Sequence, residues 1–285
     1  MSDSDQGWDA MTTFLDQAAR ESEQQRDHAE AAPPHHAISF VLPAYNEEAN
    51  VEAAIERVCA VARRLCRDHE VIVVDDGSHD RTSELVAEAA KRFPEVRLVR
   101  HGRNRGYGEA LRTGFLSATK ELVFFTDSDN QFDMEELGLL LPWIDHVDVV
   151  AGFRANRQDP FMRRLNARAW NLLVRVLFYV PVRDIDCAFK LFRREVFDVI
   201  DLESVGAMVN TELMVKIGRS GVSIVEIGVH HLPRRAGVAR GANPRVIYTA
   251  FKELGSLYRQ LHDAGVEDTP GIYTTPPMRK RRVRK

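Results

Sequence analysis

Residues 71–101, VIVVDDGSHDRTSELVAEAAKRFPEVRLVRH, decide the fold. The apolar run VIVV stops at two acids and a glycine, which predicts a strand buried on both faces that ends in a sharp polar turn. DRTSELVAEAAKRF (80–93) then carries apolar residues at helical spacing, and VRLVRH (96–101) returns to a short strand. Strand, helix and strand in so short a span form a crossover unit, in which the two strands lie parallel. The alternation extends outward on both sides. AISFVLPA (37–44) is a buried strand, and YNEEANVEAAIERVCAVARRL (45–65) is a helix through Val51, Ile55, Val58 and Leu65. YGEALRTGFLSAT (107–119) is a helix and ELVFFTD (121–127) a further strand. The prediction is an α/β protein whose mainly parallel sheet is sandwiched by helices, with polar residues gathered at the carboxyl ends of the strands, where ligands bind in such sheets.

After Val150 the pattern loosens. AGFRANRQDPFMRRL (151–165) reads as a basic loop, and NARAWNLLVRVLFYV (166–180) as an apolar helix interrupted by Arg168 and Arg175, too short and too charged to span a bilayer. DIDCAFKLFRREVF (184–197) reads as a strand entering a helix, Thr211–Arg219 as a helix, and SIVEIGVHHL (223–232) as a strand. His230 and His231 are adjacent there, so they point to opposite faces and predict no zinc site. PRVIYTAFKELGSLYRQLHD (244–263) sets Val246, Ile247, Phe251, Leu254, Leu257 and Tyr258 on one face of an amphipathic helix, which needs an apolar partner, either the domain itself or lipid.

A chain of 285 residues with 44% hydrophobic content can bury a substantial core. The net charge of -3 hides two ends of opposite sign: residues 1–30 hold eight acids and two bases, and six of the seven residues from Arg279 to Lys285 are basic. The expected layout is an acidic mobile tail (1–36), the α/β domain (37–240), the amphipathic helix (241–264) and a basic disordered tail (265–285). Three cysteines without paired spacing favour a reducing compartment. With no apolar run of spanning length and no signal peptide, the expected location is cytoplasmic with peripheral membrane association. No nucleic-acid-binding motif accompanies the basic tail, so nucleic acid is not an expected partner.

The chemistry gathers at strand ends. TDSDNQFD (126–133) places Asp127 and Asp129 two residues apart, where their charges repel unless a cation or hydrogen-bond donors offset them. Mg²⁺ or Mn²⁺ takes oxygen ligands of this kind, although a solvated turn also commonly holds Asp and Ser. No GxxxxGK[ST] loop is present, and no GxGxxG follows the first strand. HGRNRGYGEA (101–110) is a glycine-rich basic loop before a helix, suited either to a phosphate or to a simple turn.

Four ordered elements, PAYNEE (43–48), VVDDGSHDRT (73–82), RNRGYGEALRTG (103–114) and TDSDNQFD, together resemble the family 2 glycosyltransferases of the Rossmann-like GT-A fold. The likeness runs from about Ile38 to Lys252 and is nearest to the polyprenyl-phosphate glycosyltransferases, such as dolichol-phosphate mannose synthase. It implies that Pro43, Tyr45, Glu47 and Asp75 or Asp76 hold the base and ribose of a nucleotide sugar, and that Asp127, Asp129 and Gln131 sit at the metal and diphosphate. Arg154 matches a position that engages the donor phosphates, and Arg163 or Arg164 would contact a donor or acceptor phosphate. The segment Asp184–Arg193, with Asp186 and Lys190, and also Glu212, correspond to the acceptor side. Arg234 and Arg240 match a late basic pattern from which this chain departs twice, with Ala239 for a hydroxyl residue and Arg240 for lysine.

The resemblance implies a metal-dependent, inverting transfer of a hexose from a GDP- or UDP-sugar to a polyprenyl phosphate. Asp127, Asp129, Arg154 and Arg164 would neutralise the leaving diphosphate. A phosphate monoester is already largely anionic near neutral pH and attacks without a base, whereas a hydroxyl acceptor needs one, and Asp186 is then the candidate, with an ion pair to Arg183 or Lys190 as its other reading. Arg154, Arg157, Arg163, Arg164, Arg168 and Arg175 beside an apolar helix suit an anionic membrane surface or a solvated helix face. Relatives that continue into transmembrane helices raise the expectation of a separate membrane-anchoring partner. Transfer to a hydroxyl acceptor, and a non-catalytic nucleotide-sugar-binding scaffold, are the competing readings.

Overall fold

The computed structural model describes residues 35–155, 161–178, 180, 182–233 and 244–263. Nearly all of the acidic tail, Arg157, Arg234, Arg240 and the basic tail therefore lie outside the described residues. The chain forms a seven-stranded sheet in the order β3-β2-β1-β4-β6-β5-β7. The strands are β1 (Ala37–Ala44), β2 (Asp68–Asp75), β3 (Val96–Arg100), β4 (Leu122–Thr126), β5 (Val149–Arg154), β6 (Phe189–Arg193) and β7 (Ile224–Val229). Only β6 runs against its neighbours, antiparallel to β4 and β5; every other pair is parallel. This is the mainly parallel, helix-covered sheet expected for a GT-A fold.

The helices are α1 (Val51–Leu65), α2 (Thr82–Arg92), α3 (Tyr107–Ser117), α4 (Leu137–Ile144), α5 (Phe161–Phe178), α6 (Val196–Val199), α7 (Val209–Arg219) and α8 (Pro244–Asp263). β1 is buried along its whole length because it lies mid-sheet under helices, which is why its sequence does not alternate. α1 turns Val51, Ile55, Val58 and Cys59 onto the core and leaves Glu52, Glu56 and Arg63 outside.

Two expectations need correction. Residues 151–165 are not one basic loop: Ala151–Arg154 complete β5, and α5 begins at Phe161. The arginines dominate that stretch by eye, yet Val149, Val150 and Ala151 are fully buried between β6 and β7, and this placement decides the conformation. The strand read at 223–232 also stops short, at Val229, so His230 and His231 lie beyond it. α8 finds a partner within the protein. Leu254 and Leu257 are buried, Phe251 lies edge-on to Trp170 of α5, and Tyr258 lies edge-on to Phe178. Burying the two leucines contributes about 1.5–3 kcal/mol each. No helix among the described residues is long and apolar enough to cross a membrane.

Candidate active site

β4 delivers the acidic turn to the carboxyl end of the sheet, and the turn is pinned by its own polar residues. The buried Ser128 Oγ donates to the Pro43 carbonyl at 2.9 Å, and Asn130, at φ 61°, donates from Nδ2 to the Asn50 carbonyl at 3.0 Å. Asp129 Oδ1 accepts from the Gln131 backbone N–H at 3.1 Å. Gln131 Nε2 donates to the Leu232 carbonyl at 3.1 Å, and the Leu232 N–H returns a bond to the Gln131 carbonyl at 2.7 Å. With its amide nitrogen committed to Leu232, Gln131 keeps its side-chain oxygen as the end that can meet a cation.

Asp127 is the electrostatic centre of this turn. Burial, and then the charge of Asp129, push its carboxyl up to about 7, with partial relief from the Tyr107 hydroxyl, Arg154 and Lys190. Tyr107, at the start of α3, donates to Asp127 Oδ1 at 2.9 Å. Its own hydroxyl is held well above the ordinary tyrosine range, by burial first and by Asp127 second, so it remains a donor. A buried carboxyl strained by the charge of a neighbouring one, beside an amide oxygen, fits a hard divalent cation such as Mg²⁺ or Mn²⁺.

The acids at the end of β2 are satisfied differently. Asp75, fully buried, accepts from Ser78 N–H at 3.0 Å and from the Ser83 hydroxyl. Asp76 accepts from the backbone N–H groups of Arg105 at 2.9 Å and Gly106 at 2.8 Å, and pairs with His101 Nδ1 at 2.7 Å. The glycine-rich loop is thus built around Asp76. Gly106 sits at φ 105°, and a Cβ there would lie 2.2 Å from the Val205 carbonyl oxygen, so only glycine fits. The PAYNEE loop is stitched to the same region. Asn46 N–H donates to Ser78 Oγ at 2.8 Å, Glu47 N–H donates to Thr82 Oγ1 at 2.8 Å, and the Glu47 carboxylate accepts from Asn50 Nδ2 at 2.6 Å. The Tyr45 ring lies edge-on to His79.

On the basic side, Arg154 at the end of β5 makes a bidentate pair with Asp184, both bonds 2.6 Å, with the two side chains largely buried. Burial alone would lower Arg154, but Asp184 outweighs it and holds the guanidinium firmly charged. Lys190 of β6 is fully buried, donates to the Ile185 and Cys187 carbonyls, lies over the Phe125 ring, and is lowered by burial. Asp186 and Lys190 lie within electrostatic reach of Arg154. Arg163 and Arg164 lie in the first turn of α5. Glu212 of α7 accepts from the N–H groups of Glu203 (2.9 Å) and Ser204 (2.7 Å) and pairs with Lys216. It shapes the strap that packs on Gly106.

Sequence reasoning passed over Tyr107 and the Arg154–Asp184 pair. Tyr107 stood within the quoted glycine-rich loop as nothing more than a helix start, and no local spacing links it to an acid on another strand. The charge of Arg154 marked it as a binding residue, but not which acid would hold it.

The family described as "Glycosyl transferase family 2" matches residues 39–201. An undecaprenyl-phosphate 4-deoxy-4-formamido-L-arabinose transferase of Pectobacterium atrosepticum is 33% identical over 250 residues, covering 85% of this chain and 69% of that protein. A protein of the same description from Aeromonas hydrophila is 37% identical over 166 residues, covering 57% of this chain and 51% of its own. Among solved structures, mannosyl-3-phosphoglycerate synthase from Rubrobacter xylanophilus superimposes with a TM-score of 0.62 at 19% identity, covering 85% of this chain and 78% of its own. Glucosyl-3-phosphoglycerate synthase from Mycobacterium tuberculosis, solved with Mn²⁺, UDP and its product, gives 0.56 at 23% identity, with 82% of each chain covered. These two likenesses are likenesses of fold.

Proposed function

Because the chain belongs to glycosyl transferase family 2 and is a glycosyltransferase, we propose that it moves a sugar from a nucleotide diphosphate donor to a polyprenyl phosphate. The observation that carries this reading is the turn Asp127–Gln131, where the buried Asp127 carboxyl is strained by Asp129, lies near an amide oxygen and feels the charge of Arg154. A divalent cation held by Asp127, Asp129 and Gln131 would supply charge neutralisation for the departing diphosphate. Tyr107 holds Asp127 in place, and Arg154, oriented by Asp184, keeps a fixed positive charge beside it. The β1 and β2 loops, Pro43 to Glu47 and Asp75 to Asp76, form the floor against which base and ribose would rest. Arg164, Arg234 and Arg240 complete the proposed phosphate contacts.

The acceptor follows from the nucleophile. A lipid phosphate attacks as an anion near neutral pH, so no base is required, and the cationic set of Arg154, Lys190 and the arginines of α5 suits a phosphate more than a neutral hydroxyl. The relatives named as undecaprenyl-phosphate transferases support the same acceptor class. Their formamido-arabinose is pentose-derived, which widens the expected hexose to nucleotide sugars at large. Leu172 and Val176 on α5 and Phe251 on α8 are each more than half exposed, an apolar rim for resting on the anionic membrane that holds the acceptor.

The test is incubation with Mg²⁺ or Mn²⁺, a panel of UDP- and GDP-sugars and polyprenyl phosphate. Glycolipid that forms with wild type and vanishes with Asp129→Ala supports the proposal. Nucleotide release that requires a soluble hydroxyl acceptor transfers the role of base to Asp186, and tight donor binding without turnover leaves a scaffold.

A further inference from the structure

At the opposite end of the strands, before β1 begins, His35 and His36 meet Asp145 at the carboxyl end of α4. His35 Nε2 lies 3.3 Å from Asp145 Oδ2, and His36 Nε2 lies 3.3 Å from Asp145 Oδ1. The three side chains can each turn one ligand atom to a common point, all within 4.8 Å of one another. His36 is 8% exposed, and its Nε2 has no hydrogen-bond partner despite the nearby carboxylate. Its other ring nitrogen, Nδ1, faces Glu121 Oε1 at 3.4 Å, and its carbonyl is anchored by the Arg67 N–H at 2.9 Å.

We propose that His35, His36 and Asp145 form a binding site for a borderline transition-metal cation of the Zn²⁺ class, separate from the donor site. With Nδ1 facing Glu121, Nε2 is the nitrogen turned toward Asp145 and left without a hydrogen-bond partner. This is the carboxylate–histidine–metal relay of protein zinc sites, with its metal end turned toward a second carboxylate. Zinc bonds of about 2.05 Å in a tetrahedron put neighbouring ligands about 3.3 Å apart, as both nitrogen–oxygen distances are here. The simpler alternative is a pair of imidazolium–carboxylate bridges. It would place two cations in rings whose centroids are 3.9 Å apart, sharing one carboxylate. The expectation of no zinc site at His230 and His231 rested on reading them within an extended strand, and His35 and His36 precede β1. Imidazole nitrogens select zinc-like ions over Mg²⁺, so the site would not compete with the donor turn for its cation.

The experiment uses the full chain in an Asp129→Ala background, so that the donor carboxylates do not contribute. Protein is loaded with Zn²⁺, passed through metal-free buffer, and its retained zinc measured by mass spectrometry, with thermal melting as a second readout. Expected is one zinc per chain and a higher Tm with Zn²⁺ but not with Mg²⁺. Both effects should be lost on adding Asp145→Asn or His36→Gln. His35→Gln, at an exposed side chain that leaves the core intact, should lose them without lowering the metal-free Tm. Glu121→Gln should weaken zinc binding about 10–100-fold. Absence of retained zinc, or equal retention in all four variants, overturns the site.

Discussion

β2 and β4 flank β1 in the sheet, and each ends in a pair of acids, Asp75–Asp76 and Asp127–Asp129. On one side of β1, Asp76 alone takes two backbone N–H bonds and an imidazole, and Asp75 takes an amide and a hydroxyl. On the other side, Asp127 accepts from the Tyr107 hydroxyl, and its carboxyl is driven up to about 7. Similar strings of residues at similar strand ends therefore hold opposite electrostatic positions. The first pair is satisfied by the protein and builds the loops, whereas Asp127 in the second is strained by burial and by Asp129 and can be relieved by a cation. Donor supply, more than acid content, separates framework from ligand site.

The contrast breaks most visibly at Asp76. Asp76→Ala would take the acceptor from the N–H groups of Arg105 and Gly106 and from the buried ring of His101. A stranded buried donor costs about 1–3 kcal/mol, so stability in urea should fall by about 1–3 kcal/mol. If Asp76→Ala instead melted like wild type and changed only donor affinity, the framework reading of this pair would be wrong. At the other pair the roles reverse. Asp129→Ala should cut glycolipid formation by about 10²–10³-fold while leaving the Tm unchanged or raised, because it removes one of the two causes of strain on Asp127. A Tm drop as large as that of Asp76→Ala would erase the distinction.

A smaller effect comes from proton competition. Without metal, Asp127 is half protonated near pH 7, and a cation binds only the ionised form. Mn²⁺ affinity measured by titration calorimetry should therefore be nearly flat above pH 8 and about tenfold weaker at pH 6 than at pH 8. A pH-independent affinity over that range would mean that Asp127 is not a ligand.

The first half of the molecule was legible because local signals agreed there. β1, α1, β2, α2, β3, α3 and β4 each carry either a continuous apolar run or a helical period, and each ends at a polar turn. The boundaries of β1 follow from sequence to the residue. The acidic turn could be found as a candidate for the same reason: charge at the end of a buried strand is conspicuous. Beyond Val150 the decisive contacts are distant in sequence. Arg154 meets Asp184 across 30 residues, Gln131 meets Leu232 across 101, and Tyr107 meets Asp127 across the gap between α3 and β4. Charge suggested a basic loop at 151–165, but pairing between two strands overrode it at Ala151–Arg154. Nor could spacing reveal that Asp75 and Asp76 face inward, since direction at a turn is set by the N–H groups that fold around it.

Glu226 of β7 sharpens the comparison from an intermediate position. Its two oxygens share one strong donor, the Arg183 N–H, at 2.9 and 3.1 Å, with further attraction from the Arg183 and Arg175 charges. Burial still wins, and the carboxyl is pushed up to about 7. One amide is thus too few where Asp76 has two and a histidine. Because the folded-state value lies above the ordinary 4.5, the folded protein holds this proton more tightly than the unfolded chain does. The corresponding stability is present below pH 4.5 and is lost as pH rises through 7. Glu226→Gln should remove that slope, making the variant more stable than wild type at pH 8 by on the order of 1 kcal/mol. At pH 4 the two should be nearly equal. Denaturant titrations at the two pH values measure the difference, and a wild type that gains stability relative to Glu226→Gln between pH 4.5 and 7 would place Glu226 with the satisfied acids of β2.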